Sequence, residues 1–411
     1  MEVNGFEWRN SKVLVTGASG FKGAWLCATL LALGARVYGT VRNQLHPASA
    51  YRIFGLDDRV VALTADISDR QSVYDMINTI EPDVIFHLAA KALVPVGLRD
   101  PRRTFDVNIN GTLNAIEACR RIRVCSRMLI CSTDHVFGNV KPTELPHGGF
   151  NERSRVSYGG PYDTSKAAME LLVRSYHFTF WNEVPAIGLT RCANVFGFGD
   201  TNLRRVIPFF VTSAKAEKRI PLKYRSNGRQ FIYITDAVGG YIKAMAALNE
   251  GGCRAKADVD RPDSRTPFTP TYHFAIEHYE GTETPYTRMG ALADLTAKLF
   301  GAAVDDAGCV DFAENENRIQ ALNCTATQKA LNWHTQTSLT DGLEKLGQWH
   351  DALGDISVLR EMLQKEVQTL VSSLVGPDSV PVKKRHSSVG SKKKAAQANR
   401  ILVSGARPRG A

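Results

Sequence analysis

The chain has 411 residues, of which 44% are hydrophobic, and this is enough for a large buried core. No stretch reaches the roughly 18 to 20 uninterrupted apolar residues of a membrane span, and the first ten residues lack the apolar segment of a secretory signal. The eight cysteines are scattered without a Cys-x-x-Cys pair, which argues against a zinc or redox motif. We therefore expect a metal-free protein of the reducing cytoplasm.

The formal net charge of +10 is concentrated at the C-terminus. After Asp378 the chain carries nine Lys and Arg residues and no acidic residue, which leaves the rest of the chain at about +1. This tail has few large apolar side chains, so its composition predicts disorder. A solvated tail is the simplest interpretation, and contact with RNA, anionic lipid or a polyphosphate is the alternative. Elsewhere in the chain the charge does not predict a nucleic-acid partner.

Strand and helix patterns alternate along the first 190 residues. Helical periodicity marks the segments 23–33, 72–80, 104–121 and 161–180. Short β-rich runs between them predict strands at 12–16, 36–41, 60–65, 83–88, 127–132 and 185–191. Such alternation predicts an α/β fold, a doubly wound parallel sheet of the dinucleotide-binding type with helices on both faces.

The alternation becomes irregular after about residue 191, which indicates a smaller C-terminal lobe. The polar stretch 251–271 contains three prolines and is predicted to be a surface insertion. We expect the ligand between the lobe and the carboxyl ends of the strands. The predicted units are a dinucleotide-binding domain at 1–190 with a return segment at about 230–248, a substrate-binding lobe at 191–229 and 249–352, and a C-terminal helix with the basic tail at 353–411.

A glycine-rich turn joins the first predicted strand to the first predicted helix. Gly17, Gly20 and Gly23 have the spacing at which one glycine permits a tight turn, one lets a pyrophosphate approach the backbone, and one lets helix pack on strand. The helix that follows directs its unpaired N–H groups at the phosphates. The turn therefore predicts binding of NAD or NADP.

Two further features bear on the cofactor. Asp66 and Ile67 follow the third strand, where a carboxylate can accept from the adenine amino group and an apolar side chain can lie against the ring; a turn-forming Asp is the alternative. The second strand ends without the acidic residue expected for an NAD ribose, and Arg42 could meet the 2′-phosphate of NADP. A surface arginine fits equally well, so both cofactors stay open.

Tyr162 and Lys166 are spaced i, i+4 on one predicted helix, which places both on one face. The ammonium is expected to lower the pKa of the phenol, whose anion can accept a hydroxyl proton while hydride leaves the substrate. Thr133 at the end of the fifth strand can bond the same hydroxyl. Asp134 and His135 follow it and suggest an additional acid/base step, although a turn cap and a solvent-facing imidazole would also explain them.

With these motifs the chain resembles the extended short-chain dehydrogenase/reductases, the NAD-dependent epimerase/dehydratase family. It is most similar to the nucleotide-sugar 4,6-dehydratases, particularly those acting on CDP-glucose. The resemblance covers roughly residues 7 to 350. It rests on the segments 17–26, 87–94, 100–112, 158–172, 191–208 and 314–333.

The resemblance implies roles for individual residues. It implies that Asn194 meets the substrate diphosphate, that Arg229 binds a nucleotide phosphate and that Arg204 approaches the same region. It also implies that members carry Glu or Lys where this chain has His135, which leaves the identity of the base open. The cofactor contacts that it implies, beyond the turn glycines, Asp66, Ile67 and the Tyr162–Lys166 pair, are Ser19, Phe21, Leu88, Ala89, Ala90 and Asn108.

The predicted function is therefore dehydration of a nucleotide sugar, with NAD slightly favoured over NADP by the resemblance. Tyr162 would serve the oxidation at C4, His135 would remove the C5 proton and Asp134 would protonate the departing C6 hydroxyl. A 4-epimerase and a 4-keto-sugar reductase share most of this machinery, and a non-catalytic cofactor-sensing protein is an alternative of another class. The resemblance also implies a homodimer formed through the helices predicted at 104–121 and 161–180.

Overall fold

The computed structural model describes residues 1–41, 45–248, 269–279, 283–312 and 317–375 of the chain. The strands are β1 (Glu2–Val3), β2 (Phe6–Glu7), β3 (Lys12–Thr16), β4 (Arg36–Thr40), β5 (Val61–Leu63), β6 (Val84–His87), β7 (Arg127–Cys131), β8 (Ala186–Cys192), β9 (Asn194–Phe196), β10 (Arg219–Pro221), β11 (Gly228–Arg229), β12 (Phe231–Tyr233), β13 (Thr271–Phe274), β14 (Thr287–Arg288) and β15 (Ala303–Asp305). The helices are α1 (Phe21–Ala32), α2 (Ala50–Ile53), α3 (Arg70–Ile80), α4 (Val94–Arg99), α5 (Pro101–Phe105), α6 (Gly111–Ile122), α7 (Pro161–Phe180), α8 (Val206–Glu217), α9 (Ile234–Ala247), α10 (Met289–Phe300), α11 (Thr325–Leu331), α12 (Leu339–Asp351) and α13 (Ile356–Val375).

Seven strands form one parallel sheet in the order β13-β8-β7-β6-β3-β4-β5. Val13 of β3 lies opposite Val84 of β6 on one side and Val37 of β4 on the other. The chain winds away from β3 in both directions, so the carboxyl ends of β3 and β6 border the crevice where such sheets bind ligands. The predicted α/β class and the six predicted strands are confirmed.

Both faces of the sheet are covered because its strands are apolar along nearly their whole length. Val13 and Val15 belong to one core cluster and Leu14 to the other, since successive side chains of a strand point to opposite faces. The first cluster includes residues of α1, α9 and α13, and the second includes residues of α3, α6 and α7. Each fully buried Val or Leu contributes roughly 1.5–3 kcal/mol relative to an exposed one.

Outside the large sheet, the chain forms short paired strands. β9 pairs with β12 and β10 with β15 in parallel, and β11 pairs with β14 antiparallel. Around them α8 packs against α10 and α12. Residues from this part and from the ends of the sheet strands line one cavity, so the irregular C-terminal sequence supplies one side of the candidate site.

The structure differs from the sequence-based elements in three places. The helix predicted at 104–121 is interrupted by a π-helical turn, Asp106–Asn110, between α5 and α6. The predicted C-terminal helix corresponds to α13, and the residues before it form a separate helix, α12, with Gly354 at a φ of +111° in the break between them. β13 joins the large sheet beside β8, although it falls within the residues that the sequence analysis assigned to the insertion and the lobe.

The C-terminal part of the described chain is helical. α13 packs against α1, α9 and α2, and buries Leu359, Leu363 and Val367. Most of the predicted insertion, residues 251–268, and the basic tail after 375 lie outside the described residues. None of the helices within the described ranges combines the length and the apolar character that a membrane span requires.

Candidate active site

The glycine-rich turn connects β3 to α1 at the crevice of the sheet. Gly17 has a φ of +75°, and a Cβ there would lie 3.0 Å from the amide nitrogen of Ala89. A Cβ at Gly23 would lie 2.1 Å from the carbonyl oxygen of Gly17. The turn is therefore closed to larger residues at both positions, as the predicted phosphate-binding turn requires.

The first turn of α1 offers backbone donors to a ligand. Gly20 occupies the N-cap position in an extended conformation, and its helix has no side-chain cap within the described structure. The N–H groups of a helix's first turn have no partner within the helix, and they favour an anion. Ser19 and Phe21 flank this position, and Ser19 is buried. The turn thus fits the pyrophosphate of a dinucleotide, which supplies the acceptor oxygens that these donors need.

Gly23→Ala is expected to lower the free energy of unfolding by about 1–3 kcal/mol, because the new methyl group overlaps the carbonyl of Gly17. The displaced turn is also expected to weaken NAD binding. Urea unfolding and calorimetric titration with NAD measure the two effects. The matched control is Gly160→Ala, whose Cβ meets no atom of the described structure within 4 Å. Wild-type stability together with wild-type NAD affinity in the Gly23 variant would refute the prediction.

The predicted adenine contacts lie after β5. The Asp66 carboxylate accepts hydrogen bonds from the Ser68 amide at 3.1 Å and hydroxyl at 2.8 Å, and it forms an ion pair with Arg103. Ile67 packs into the core, where a Cβ on Gly111 would lie 2.8 Å from its Cδ1. An adenine amino group would share the Asp66 carboxylate with these partners, and the two adenine contacts stay predictions.

The residues after β6 hold the turn in place. Leu88 and Ala89 both donate their backbone N–H to Thr16 Oγ1 at 3.1 Å, and Ala90 follows them half-buried. This links the two strands that border the crevice. Arg42, the predicted contact to a 2′-phosphate, lies outside the described residues.

Asn108 lies at the centre of the π-helical turn and connects three segments. Its Oδ1 accepts from the amide of Lys91 at 2.8 Å, and its Nδ2 donates to Ser165 Oγ at 2.9 Å. π-Helical turns occur frequently at functional sites. Here the turn places a buried amide between the loop after β6 and the helix that carries Tyr162. Asn108 therefore supports the geometry of the site, and its cofactor contact stays a prediction.

The five predicted catalytic residues come from two adjacent elements. Thr133 follows β7, and Asp134 and His135 begin the 3-10 turn Asp134–Phe137. Tyr162 and Lys166 lie on α7 and are buried. Thr133, Asp134, His135 and Tyr162 line one cavity of about 690 Å³. Lys166 Nζ donates to the carbonyl oxygen of Cys131 at 2.6 Å, directly before this group.

The electrostatics of the Tyr162–Lys166 pair differ from the expectation. Burial raises the pKa of Tyr162 above its ordinary value, the carboxylates of Asp134 and Asp163 raise it further, and a hydrogen bond with Thr133 opposes them. The pKa of the phenol is therefore raised, whereas its spacing to Lys166 had suggested a lowered value. Burial likewise lowers the pKa of Lys166 to about 8. The low polarity of the site favours the neutral form of both groups, although a lysine with a pKa of about 8 is still mostly protonated near neutral pH.

Asp134 is the most unusual acid of the site. Its side chain is buried, Oδ1 lies 3.1 Å from Thr133 Oγ1, and Oδ2 has no hydrogen-bond partner within the described chain. Burial raises the pKa of this carboxyl, while His135, Thr133 and Arg229 partly oppose the rise. A buried carboxyl with an unpartnered oxygen is suited to hold a proton and to donate it.

His135 is held from two sides. Its Nδ1 lies 2.8 Å from Asp163 Oδ1 and 3.4 Å from Asn317 Nδ2. Its ring packs edge-on against Tyr162, with the ring centroids 5.4 Å apart. The imidazole thus belongs to the group around Tyr162 and is not directed into open solvent. Asp163, which directly follows Tyr162, was not recognised in the sequence as part of the site.

A buried ion pair fixes the helix that carries these residues. Arg191 of β8 donates to Glu170 of α7 through Nε at 3.0 Å and through NH2 at 2.6 Å. Both side chains are almost fully buried. Removal of one partner from such a pair costs about 3–5 kcal/mol because the other charge stays uncompensated. The pair therefore locks α7 onto the sheet one helical turn beyond Lys166.

Polar and basic side chains line the same cavity. Asn194 begins β9 and donates from Nδ2 to the carbonyl of Gln230 at 3.1 Å, and Arg229 donates to the carbonyl of Gly228 at 2.9 Å. Arg204 is exposed at the rim. These three predicted substrate residues therefore share the cavity with the catalytic group. The full set of cations along this cavity is Lys22, Arg204, Arg205, Lys223 and Arg229.

Three of these cations, Lys22, Arg205 and Lys223, were not predicted from the sequence. Arg205 forms an ion pair with the buried Asp200 at 2.9 Å, which holds its guanidinium at the cavity, whereas only the adjacent Arg204 was predicted. Lys22 lies in the first turn of α1, and its Nζ lies 3.3 Å from the hydroxyl of Tyr241. The feature of the sequence that could have indicated Arg205 is the acidic residue Asp200, five positions before it.

Comparison with known proteins agrees with this geometry. Residues 13–256 match the model of the NAD dependent epimerase/dehydratase family. That range is more than half of the chain, and the protein therefore belongs to this family, as predicted. The chain is 25% identical over 354 residues to the CDP-glucose 4,6-dehydratase of Salmonella typhimurium, an alignment that covers 84% of this chain and 92% of the relative.

Solved structures share the fold. The dTDP-glucose 4,6-dehydratase of Streptomyces venezuelae, solved with NAD bound, superposes with a TM-score of 0.67 at 22% identity, over 83% of this chain and 97% of the other. The UDP-glucose 4-epimerase of Thermotoga maritima superposes with a TM-score of 0.66 at 20% identity, over 83% and 98% of the two chains. Dehydratases and epimerases of this family are thus equally similar in fold, and the site has to distinguish them.

Proposed function

We propose that the protein is a nucleotide-sugar 4,6-dehydratase that uses tightly bound NAD or NADP. The observation that carries the proposal is the position of Asp134, a buried carboxyl whose raised pKa favours the protonated form, beside Tyr162 in one cavity. Oxidation at C4 requires Tyr162, Lys166 and Thr133, whereas Asp134 serves no purpose in oxidation alone. Loss of a hydroxyl as water needs a proton donor of this kind.

The roles of the chain's own residues follow from this arrangement. A bound nicotinamide would accept a hydride from C4 of the sugar and later return it to C6, so no oxidant is consumed. Tyr162 accepts the proton of the C4 hydroxyl as its phenolate, a form that the positive charge of a bound oxidised nicotinamide would favour, and Thr133 assists it. His135 removes the proton at C5, which the C4 ketone makes acidic, and Asp134 protonates the departing C6 hydroxyl. The proton held by Tyr162 then restores Asp134, so the net reaction is the loss of one water.

The binding surfaces support the same proposal. The pyrophosphate of the cofactor would lie on the turn of Gly17, Gly20 and Gly23, with Ser19 and Phe21 beside it. NAD is favoured because the structural relatives described above were solved with it or belong to an NAD-dependent family. Asn194, Arg204 and Arg229 would bind the substrate's diphosphate, together with Arg205, since the cavity wall they share carries several cations. In this division the sheet binds the cofactor and the C-terminal lobe binds the nucleotide sugar.

We further propose a cytoplasmic homodimer formed through α6 and α7. Leu171 and Phe178 of α7 are 58% and 61% exposed, although both are large and apolar. Such side chains on one helix support burial against a second copy. The scattered, mostly buried cysteines are compatible with a reducing compartment.

The proposal is tested by incubating the purified protein with NAD and with CDP-, GDP-, dTDP- and UDP-hexoses. We expect one of these substrates to lose the mass of one water, as measured by mass spectrometry, without net reduction of NAD. A product of unchanged mass with inverted configuration would identify an epimerase instead. Stoichiometric consumption of NADPH with a 4-keto sugar would identify a reductase. Turnover of none of these substrates, with tail-dependent binding of polyanions, would point to a binding protein.

A further inference from the structure

We propose that Asp163 is a positioning residue that fixes His135 in the tautomer with a free electron pair on Nε2, so that a histidine–aspartate pair removes the C5 proton. This inference rests on the proposed dehydratase function for its catalytic part. Its structural part, the tautomer of His135, is independent of any activity. Asp163 therefore joins the residues of the site as a partner of the base, acting through His135 and not on the sugar itself.

The geometry determines which nitrogen carries the proton. Asp163 Oδ1 lies 2.8 Å from His135 Nδ1, and an ionised carboxylate can only accept a hydrogen bond. Nδ1 must therefore donate, which leaves Nε2 of the neutral ring as the acceptor. Within the described chain the ring's hydrogen-bond contacts are all at Nδ1. His135 lines the cavity, so Nε2 is the nitrogen available to a substrate.

Asn317 is a competing neighbour. Its Nδ2 lies 3.4 Å from the same Nδ1, and an amide donor there would favour the opposite tautomer. The carboxylate of Asp163 is closer by 0.6 Å and charged, and hydrogen bonds to ionised groups are about twice as strong as neutral ones. Rotation of the amide also presents its oxygen to Nδ1 without moving any other atom. Asp163 therefore decides the tautomer.

The local structure holds the Asp163 carboxylate beside the imidazole of His135. Asp163 lies in the first turn of α7 and is 5% exposed. Carboxylates are stabilised in the first turn of a helix by its unpaired N–H groups. Gly159 provides the space, because a Cβ there would lie 2.5 Å from Asp163 Oδ2. The carboxylate thus has little freedom to leave the imidazole.

His135 as a base requires a partner such as Asp163. The family resemblance implies Glu or Lys where this chain has His135, and neither of those side chains has tautomers. An imidazole has two different nitrogens, and only the correct tautomer can accept a proton at the substrate. A histidine in this position therefore needs a fixed partner at its other nitrogen, and Asp163 is that partner.

His135 takes the proton from C5 and returns it within one turnover. The C5–H bond breaks, its proton forms the Nε2–H bond, and its electron pair is delocalised into the C4 ketone. The imidazolium that results is neutralised by Asp163 at Nδ1. The electron pair then expels the C6 hydroxyl, which leaves as water with the proton of Asp134. When C6 is reduced, Nε2 returns its proton to C5, and His135 is again neutral.

The first test measures the tautomer directly. The protein is labelled with ¹⁵N-histidine, and the His135 signals are assigned by comparison with His135→Gln. We expect wild-type His135 to carry its proton on Nδ1, and Asp163→Ala to shift the proton to Nε2. The control Asp75→Ala, which removes an exposed aspartate from α3, is expected to leave the spectrum of His135 unchanged. A wild-type proton on Nε2, or an unchanged tautomer in Asp163→Ala, would overturn the inference.

The second test follows the step itself. With the substrate identified by the hexose panel, the reaction is run in D₂O and deuterium incorporation at C5 is measured. Asp163→Ala is expected to lower incorporation about 10²–10³-fold, within the range of general-base catalysis. The absorbance of reduced cofactor formed in the first half-reaction is expected to remain, because oxidation at C4 does not use His135. In the double variant His135→Gln/Asp163→Ala, the rate of deuterium incorporation is expected to be no lower than in either single variant.

A conservative rescue separates positioning from folding. The variant His135→Glu/Asp163→Ser places a carboxylate base at the position of the imidazole. We expect this variant to incorporate deuterium at C5 at least about tenfold faster than Asp163→Ala. Loss of C4 oxidation in Asp163→Ala, or no recovery in the rescue variant, would assign Asp163 to folding instead. If wild-type protein incorporates no deuterium with any hexose, the dehydratase proposal fails, whereas the tautomer measurement still decides the role of Asp163.

Discussion

Tyr162→Phe is expected to lower turnover about 10²–10⁴-fold and to abolish the transient absorbance of reduced cofactor. The phenol is buried and hydrogen-bonded with Thr133 at the centre of the cavity, and it is the group placed to accept the C4 hydroxyl proton. Without that acceptor the first oxidation cannot proceed, and every later step depends on it. Stopped-flow absorbance and product formation measure the two losses.

The same helix offers a matched control. Tyr176 lies on α7, near Glu117 at the protein surface, and Tyr176→Phe removes the same hydroxyl away from the cavity. We expect wild-type turnover and unchanged NAD affinity in this control. A Tyr162→Phe protein that still oxidises substrate at C4 at more than a tenth of the wild-type rate would show that another group accepts the proton. The whole assignment of the site would then have to be revised.

The central sheet could be predicted because its signals are local. The strands from β3 to β8 are short β-rich runs, and β3, β5, β6 and β7 are each followed by a predicted helix, so the chain order alone predicts the parallel topology. β13 was missed because the chain reaches it through the polar stretch 251–268, and its four residues, Thr271–Phe274, are too few for a clear pattern. Its place beside β8 is set by tertiary packing.

The candidate site, too, could be predicted where its signals are local and not where they depend on tertiary packing. Tyr162 and Lys166 share a helix at a known spacing, so sequence alone could pair them. Asp163 was missed because its partner His135 is 28 residues away, and no spacing rule connects an acid after one helix start with an imidazole after a strand. Arg205 was passed over for Arg204 because adjacent arginines are equivalent until the ion pair with Asp200 distinguishes them.

The pKa of Tyr162 illustrates a different limit of prediction from sequence. The spacing to Lys166 correctly predicted a nearby pair but suggested a lowered pKa for the phenol. In the folded protein, burial and the carboxylates of Asp134 and Asp163 raise it. Sequence indicates which charges are neighbours, but the cost of desolvation depends on how completely the fold excludes water.

Asp134→Asn is expected to separate the two halves of the reaction. The amide keeps the size of the side chain but cannot donate a proton as an acid, so the release of water is expected to fall about 10²–10⁴-fold. Oxidation at C4 should persist, and reduced cofactor should accumulate with a 4-keto sugar. Single-turnover absorbance and mass spectrometry measure both species. Loss of C4 oxidation would instead assign Asp134 to the first step, beside Tyr162.

The pH dependence of this variant gives an independent check. The folded-state pKa of Asp134 is raised, chiefly by burial, so the wild type loses its proton donor as the pH rises through that value. The stability that the protonated Asp134 contributes is fully present below the unfolded-state pKa of an aspartate, and it is lost as the pH rises through the folded-state pKa. Asn stays neutral throughout, so urea unfolding across a pH series should show the variant gaining stability relative to wild type as the pH increases. A difference that is constant with pH would mean that the pKa of Asp134 is the same in the folded and unfolded states. Such an ordinary aspartate is ionised near neutral pH and could not supply the proton for the departing water.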